Sequence, residues 1–366
     1  MAGLGDPPGG TPEDGSPGGG EDEYRSIVFD ESFVRAARLE EFSARQRLTD
    51  HAPAVRRRTA LRRAGLSRQA VILFVLIAVA VGTALYMGVR HPYQSPAAQR
   101  PAEPARMTVV PLAPQGRVPG AADAERLYAH SPAADFRAAA KGVPLPDHRR
   151  TAHFSGDQVL NALTTAKHYI VRSALDPDVL GGREVRPVRV LLDPDQLGQF
   201  DESFERPAPD GRHTATGWLV RFDPARAELA DAEIRVRGSL RFTERDASTL
   251  EVTADHTMVY PLRPTGDDRA ETSLFTVRRE LRFRFDREDL RLHRTQLVAS
   301  RVQAGPLSRV QAGPLSCADR SADRLRPLLA GRTAGTGDAP AGTDPYTEDT
   351  PTALCGTLAE RAQPKV

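Results

Sequence analysis

The sequence predicts an α+β extracytoplasmic domain, with helices packed on one face of an antiparallel meander sheet, tethered by one transmembrane helix. Three observations carry this. Ala70 to Val89 (AVILFVLIAVAVGTALYMGV) runs without a charge. Several segments between 188 and 302 alternate apolar and polar residues with period two, separated by short turns. Ahead of them, Val159, Leu163, Ala166, Ile170 and Ala174 fall on one helical stripe.

Residues 1–22 are dominated by Gly, Pro, Asp, Glu, Ser and Thr, too few apolar groups to offset chain entropy, and are expected to be disordered. Residues 23–69 hold a helix start, with Asp30 as N-cap, Glu31 at the positive end of the helix dipole, and Phe29 and Val34 as a staple. Phe29, Phe33, Leu39 and Phe42 have no neighbouring core to join. Two readings stand side by side: a solvated helix, or a docking segment for a cytoplasmic protein partner. Arg56, Arg57, Arg58, Arg62, Arg63 and Arg68 precede the apolar run, against Arg90 and Arg100 after it. This asymmetry places the N-terminus in the cytoplasm and the C-terminal domain outside, a single-pass topology in the cell membrane. The same arginines suit an anionic inner leaflet.

A helix of 20 residues is about 30 Å long, the thickness of a bilayer's hydrocarbon core. Thr83 is its single strongly polar side chain, and its hydroxyl can bond back to the helix. A cleaved signal peptide is the rival. The position of the run after Gln69, its length, and bulky Tyr86 and Met87 disfavour that reading. Arg62-Arg63 also permits a twin-arginine signal, which an arginine-rich chain makes uninformative.

Glu23 to Leu48 (EYRSIVFDESFVRAARLEEFSARQRL), then arginines, one apolar run and a late cysteine pair, resembles a family of actinobacterial single-pass membrane proteins. The resemblance is most specific from Phe29 to Phe42. It implies the topology and carries no established activity or catalytic residue.

Residues 90–121 contain Pro92, Pro96, Pro101, Pro104, Pro111, Pro114 and Pro119 and are expected to be an extended linker. The folded domain is expected over 122–330. Asp123 opens a short helix, and Ser131-Pro132 a second one carrying Phe136. Ser155 to Gln158 reads as a capping box, with Phe154 stapled to Val159. Strands are expected at Val188 to Leu192, Trp218 to Phe222, Glu233 to Phe242, Leu250 to Tyr260 and Phe275 to Phe285, and less cleanly over 290–302. Asp286 to Asp289 reads as a hairpin turn, and Leu325, Leu328 and Leu329 as a short apolar helix. The octapeptide SRVQAGPL occurs at 300–307 and again at 308–315, a local duplication of which one copy continues the last strand. Cys317 and Cys355, both in the outer part, are expected to form one disulfide that ties a flexible tail, 331–366; two unpaired thiols are the alternative.

The chemistry is sparse. Fifty Lys+Arg oppose 48 Asp+Glu for a net +2, so no strong field selects a partner class, and only Lys141, Lys167 and Lys365 are lysines. Asp176-Pro177-Asp178 and Asp193-Pro194-Asp195 read as helix starts before cation sites. No histidine stands in a metal-binding array, and no nucleophile motif or phosphate-binding loop occurs, so no catalytic residue, cofactor or metal ligand is nominated. His256 lies in an apolar alternation and is expected to be a hydrogen-bonded core residue. Arg235, Arg237, Arg241, Arg278, Arg282 and Arg284 share the wet sheet face and are candidates for an envelope polyanion. Glu233, Glu251, Asp255 and Glu280 on that face offer cross-strand pairing instead. The expected function is a non-catalytic membrane-anchored envelope protein whose outer domain binds or senses and whose inner segment docks a partner. Its partners are the lipid bilayer, a cytoplasmic protein and an envelope polyanion, with nucleic acid not expected. The alternative is an extracytoplasmic hydrolase without a recognisable motif.

Overall fold

The structure is a computed structural model that describes residues 68–90 (side chains from 71 to 83), 102–308, 321–334, 342–347 and 356–366. The chain divides into a unit ending at Ser95 and one beginning at Pro96. In the first, helix α1 (Arg68–Arg90) forms as the apolar run predicts. Thr83 donates its hydroxyl proton to the Val79 carbonyl at 2.7 Å, so the hydroxyl is satisfied by its own helix. Among the described residues, however, no helix is long and apolar enough to cross a membrane. The expected tether is therefore not supported. The docking candidates Phe29, Phe33, Leu39 and Phe42, and the pair Cys317 and Cys355, lie outside the described residues.

The second unit is built on a nine-stranded sheet. In chain order its strands are β1 (Arg106–Ala113), β2 (Arg137–Ala138), β3 (Ala227–Leu229), β4 (Arg235–Asp246), β5 (Thr249–Pro264), β6 (Ser273–Phe285), β7 (Gln296–Gly305), β8 (Gly342–Thr343) and β9 (Gly356–Leu358). The spatial order is β2-β4-β5-β6-β7-β1-β9-β8, with β3 paired to β5. β4 to β7 form the antiparallel meander that the alternation predicts. The sheet as a whole is mixed, which corrects the purely antiparallel expectation, because β1 pairs in parallel with β7 and β9, and β8 with β9. The sequence of β1, RMTVVPLA, is nearly continuous apolar chain, as befits a strand buried between two parallel neighbours. It lies within the stretch expected to be a linker; Pro111 hides it by removing one ladder donor.

Helices α2 (Ala124–Ala129), α3 (Gly156–Ala174), α4 (Pro177–Leu180), α5 (Arg186–Arg189), α6 (Leu197–Glu205), α7 (Ala215–Trp218) and α8 (Arg287–Leu292) complete the unit. The capping box of α3 forms as expected: Gln158 N–H donates to Ser155 Oγ at 3.2 Å, and Ser155 N–H to Gln158 Oε1 at 2.8 Å. The α3 stripe then packs with Trp218, Phe200, Tyr260, Phe275 and Phe283 in the main core. Asp123 caps α2, and Asp176 and Asp193 each accept a backbone N–H at a helix start.

Five local expectations change. Pro187 at the first turn starts α5 where a strand was expected at 188–192, and Trp218 ends α7 before the chain becomes extended. Ser131-Pro132 makes turns, its hydroxyl accepting from Ala133 N–H at 3.1 Å, because Phe136 drops at once into a core. Asp286 and Asp289 form a second capping box and open α8 between β6 and β7. Leu325 is extended, bridged to Phe222 and buried. The first octapeptide copy supplies β7 as far as Gly305.

Nor are helices confined to one face. The main core fills the face of β4 to β7 occupied by α3. On the opposite face α2 packs Leu127 and Tyr128 with Phe136, Val259 and Leu274, and the C-terminal residues Leu358, Ala359 and Ala362 pack on Val110 and Leu112. Among the described residues, nothing covers one end of that face.

Candidate functional site

The uncovered end is a groove of about 410 Å³ whose floor is the polar row structure of five adjacent strands. Register makes the rows. One runs Arg241 (β4), Thr253 (β5), Arg282 (β6), Ala299 (β7) and Arg106 (β1), each directly opposite the next. The neighbouring row runs Ser239, Asp255, Glu280, Arg301 and Thr108. Period two puts every one of these side chains on the face away from α3.

Beside the groove the same face is closed by residues 344–347. Thr257 donates to the Pro345 carbonyl at 2.9 Å, Thr276 and Tyr346 share a hydroxyl contact at 2.9 Å, and Arg278 donates to the Thr347 carbonyl. Tyr346 meets Phe136 edge-on at 5.8 Å, and Asp344 holds Arg361 at 2.6 Å. Arg278 is thereby buried under this strap, with Asp255 held in two hydrogen bonds of 2.9 and 2.7 Å and Glu280 at 3.6 Å.

The arginines predicted for a polyanion do not act together. Arg235 pairs with Glu125 at 2.7 Å and Glu233 at 2.9 Å and lies over Tyr128. Arg237 stacks on Phe136 at 4.4 Å. Arg284 reaches Glu103 at 3.0 Å, and Arg278 is buried. Arg241 and Arg282 remain in the groove, Arg282 with only a long 3.8 Å approach to Glu251, which Arg245 also holds at 3.3 Å. The structure adds Arg106 and Arg301. Among the described residues, no carboxylate forms an ion pair with Arg106, Arg241 or Arg301. Four arginines thus line the groove against two carboxylates, both already drawn toward Arg278. The missed strand carried its own signal: Arg106 and Thr108 alternate with Met107 and Val109, and the surrounding prolines hid it.

A second polar cluster lies on the other face, inside the core. Arg279 and His256 sit opposite each other on β6 and β5 and are 0% and 1% exposed. The Arg278-Arg279 doublet breaks the alternation of β6, and only Arg278 was read as a face residue. Arg279 donates to Ser173 Oγ at 2.8 Å and to the Gly217 and Trp218 carbonyls at 3.0 and 2.9 Å, so it satisfies the carbonyl end of α7. Each carbonyl has a second donor: Ser300 Oγ on Gly217 at 2.7 Å and the Tyr169 hydroxyl on Trp218 at 2.8 Å. Tyr260 donates to the Ala174 carbonyl at 2.9 Å. His256 differs from expectation. It is in the core, yet neither ring nitrogen has a hydrogen-bond partner among the described residues. Burial holds its pKa down to about 4; Asp255 opposes this and nearby Arg279 adds to it. Gly238 lies opposite on β4, where a Cβ would collide with the imidazole, so glycine there makes room for the ring.

No group of His, Cys, Asp and Glu among the described residues is arranged to hold a metal. Comparison with known proteins finds no matching family model, no similar curated protein and no similar solved structure.

Proposed function

We propose that this chain is a non-catalytic binding protein that takes up a polyanion in the sheet groove. The observation that carries the reading is the set Arg106, Arg241 and Arg301, three guanidiniums turned into one groove with no carboxylate partner among the described residues. Guanidinium forks match carboxylate, sulfate and phosphate oxygens two at a time. On the same sheet Arg235, Arg278 and Arg284 are held by neighbouring carboxylates and Arg237 lies on Phe136, whereas the groove keeps cationic capacity to spare. Its lining includes neither His nor Cys, and both its carboxylates are engaged by Arg278, which supports binding over the hydrolase alternative. The lining also has no aromatic side chain on which a base could stack, which disfavours single-stranded nucleic acid.

Full-length protein should bind immobilised heparin or polyphosphate in a salt-dependent way. The triple variant Arg106→Ala, Arg241→Ala, Arg301→Ala should elute at clearly lower salt, with a log K against log salt slope reduced by about 2–3. Arg235→Ala and Arg284→Ala, which remove neighbour-paired arginines, should change elution little. Equal retention of native and triple variant overturns the proposal.

A further inference from the structure

We infer that the groove's ligand is an acidic polysaccharide lying across the strands, with one anionic group for each disaccharide; this rests on the polyanion reading above. Arg241, Arg282 and Arg106 stand in one row on alternate strands, β4, β6 and β1. Neighbouring strands are separated by about 4.8 Å, so successive arginines are about 10 Å apart. That is the length of two sugar units in an extended chain.

The strands between them carry Thr253 and Ala299, small residues that let a chain come down onto the sheet. The adjacent row supplies Asp255 on β5, an acceptor for hydroxyl protons between Arg241 and Arg282, with Ser239 and Glu280 beside those two arginines and Arg301 on β7 as a further cation between Arg282 and Arg106. The same two carboxylates repel a polymer charged at every unit. Polyphosphate, with its closely spaced charges, meets both the arginines and the acids. An alternating uronate chain meets Arg241, Arg282 and Arg106 at successive charges and Asp255 at the hydroxyl-rich unit between the first two. The groove thus selects for charge spacing as well as sign.

The test compares three probes on full-length protein: an octasaccharide of alternating uronate and N-acetylhexosamine, a polygalacturonate oligomer of the same length with a charge on every sugar, and polyphosphate. The alternating octasaccharide should bind at least about tenfold more tightly than polygalacturonate at equal ionic strength. Each of Arg241→Ala, Arg282→Ala and Arg106→Ala should weaken it by at least about 10-fold, roughly one charge-assisted contact. A decisive variant moves a charge by one strand: Thr253→Arg with Arg282→Ala keeps the net charge and spoils the spacing. Thr253 is exposed, so the fold accommodates arginine there. This double variant should keep its polyphosphate affinity and lose most of the octasaccharide affinity. If it binds the octasaccharide like the native protein, or if polygalacturonate binds equally well, the spacing inference is wrong while polyanion binding stands. If none of the three probes binds, the polyanion reading falls as well.

Discussion

Arg279→Ala is expected to destabilise the protein by about 3–5 kcal/mol, with Arg279→Met recovering most of that loss. The side chain is fully buried with no carboxylate beside it among the described residues, so its charge is an expense that the fold offsets with three hydrogen bonds to neutral acceptors. Removing the whole side chain opens a void where β6 meets α3 and α7, and close-packed surroundings relax only partly. The acceptors are less exposed to loss than they look. The Gly217 carbonyl keeps Ser300 and the Trp218 carbonyl keeps Tyr169 after the guanidinium is gone. Volume therefore decides the outcome. Methionine fills most of the space and carries no charge to desolvate. Urea titrations of the two variants beside the native protein make the comparison. If methionine is as damaging as alanine, the charge on the α7 carbonyl end outweighs packing and this account is wrong.

The second large effect is in the pH dependence of stability. His256 is held near 4 in the fold, below the 6.5 of a free histidine. The unfolded chain therefore binds more protons than the native one between those values, so stability falls as pH drops from about 6.5 towards 4. The full effect is about 3 kcal/mol, the shift multiplied by about 1.4 kcal/mol per unit. Asp289 titrates with the opposite sign. Burial and the carboxylates of Asp286 and Asp193 raise it to about 8, so its contribution is present at acid pH and fades as pH rises through that value. The raw pH profile blends the two. His256→Leu isolates one of them. Because both imidazole nitrogens are unpartnered, the leucine variant should match or exceed native stability at pH 7.5 and exceed it by about 3 kcal/mol more at pH 4. Denaturant titrations across that range give the difference curve. Parallel curves for the two proteins would show that His256 is not neutral and buried as described.

The parts of this fold that could be read from the chain are those governed by neighbours in sequence. Ser155 and Gln158 close a capping box within one turn, and the meander from β4 to β7 repeats apolar and polar residues with hairpin connections. Both are local patterns. β1 was illegible because its partners are β7 and β9, the other end of the chain, and because Pro111 carries the mark of a linker. Arg106 was lost with it. Arg301 was lost because it fell where the alternation was weakest. Six face arginines were legible as such, but whether a guanidinium is free depends on residues such as Glu125, Phe136 and Glu103, brought there only by the tertiary fold. His256 was placed in the core by its period and misjudged in its bonding for the same reason.

The position of β1 has a consequence for synthesis. The first strand of the domain to leave the ribosome must wait for β7, the last long strand among the described residues, before its long ladder can form. Pairings between distant parts of a chain are slow, because closure entropy is paid before contacts reward it. Until then the edge of β7 lacks its neighbour and Arg106 has no row to complete. The nascent chain can pair β4, β5 and β6 and begin to bury the core under α3, yet it has no finished groove. The five-stranded floor of the groove is therefore completed only when β7 and β1 have paired, and a product truncated before β7 has only three of the five strands in place.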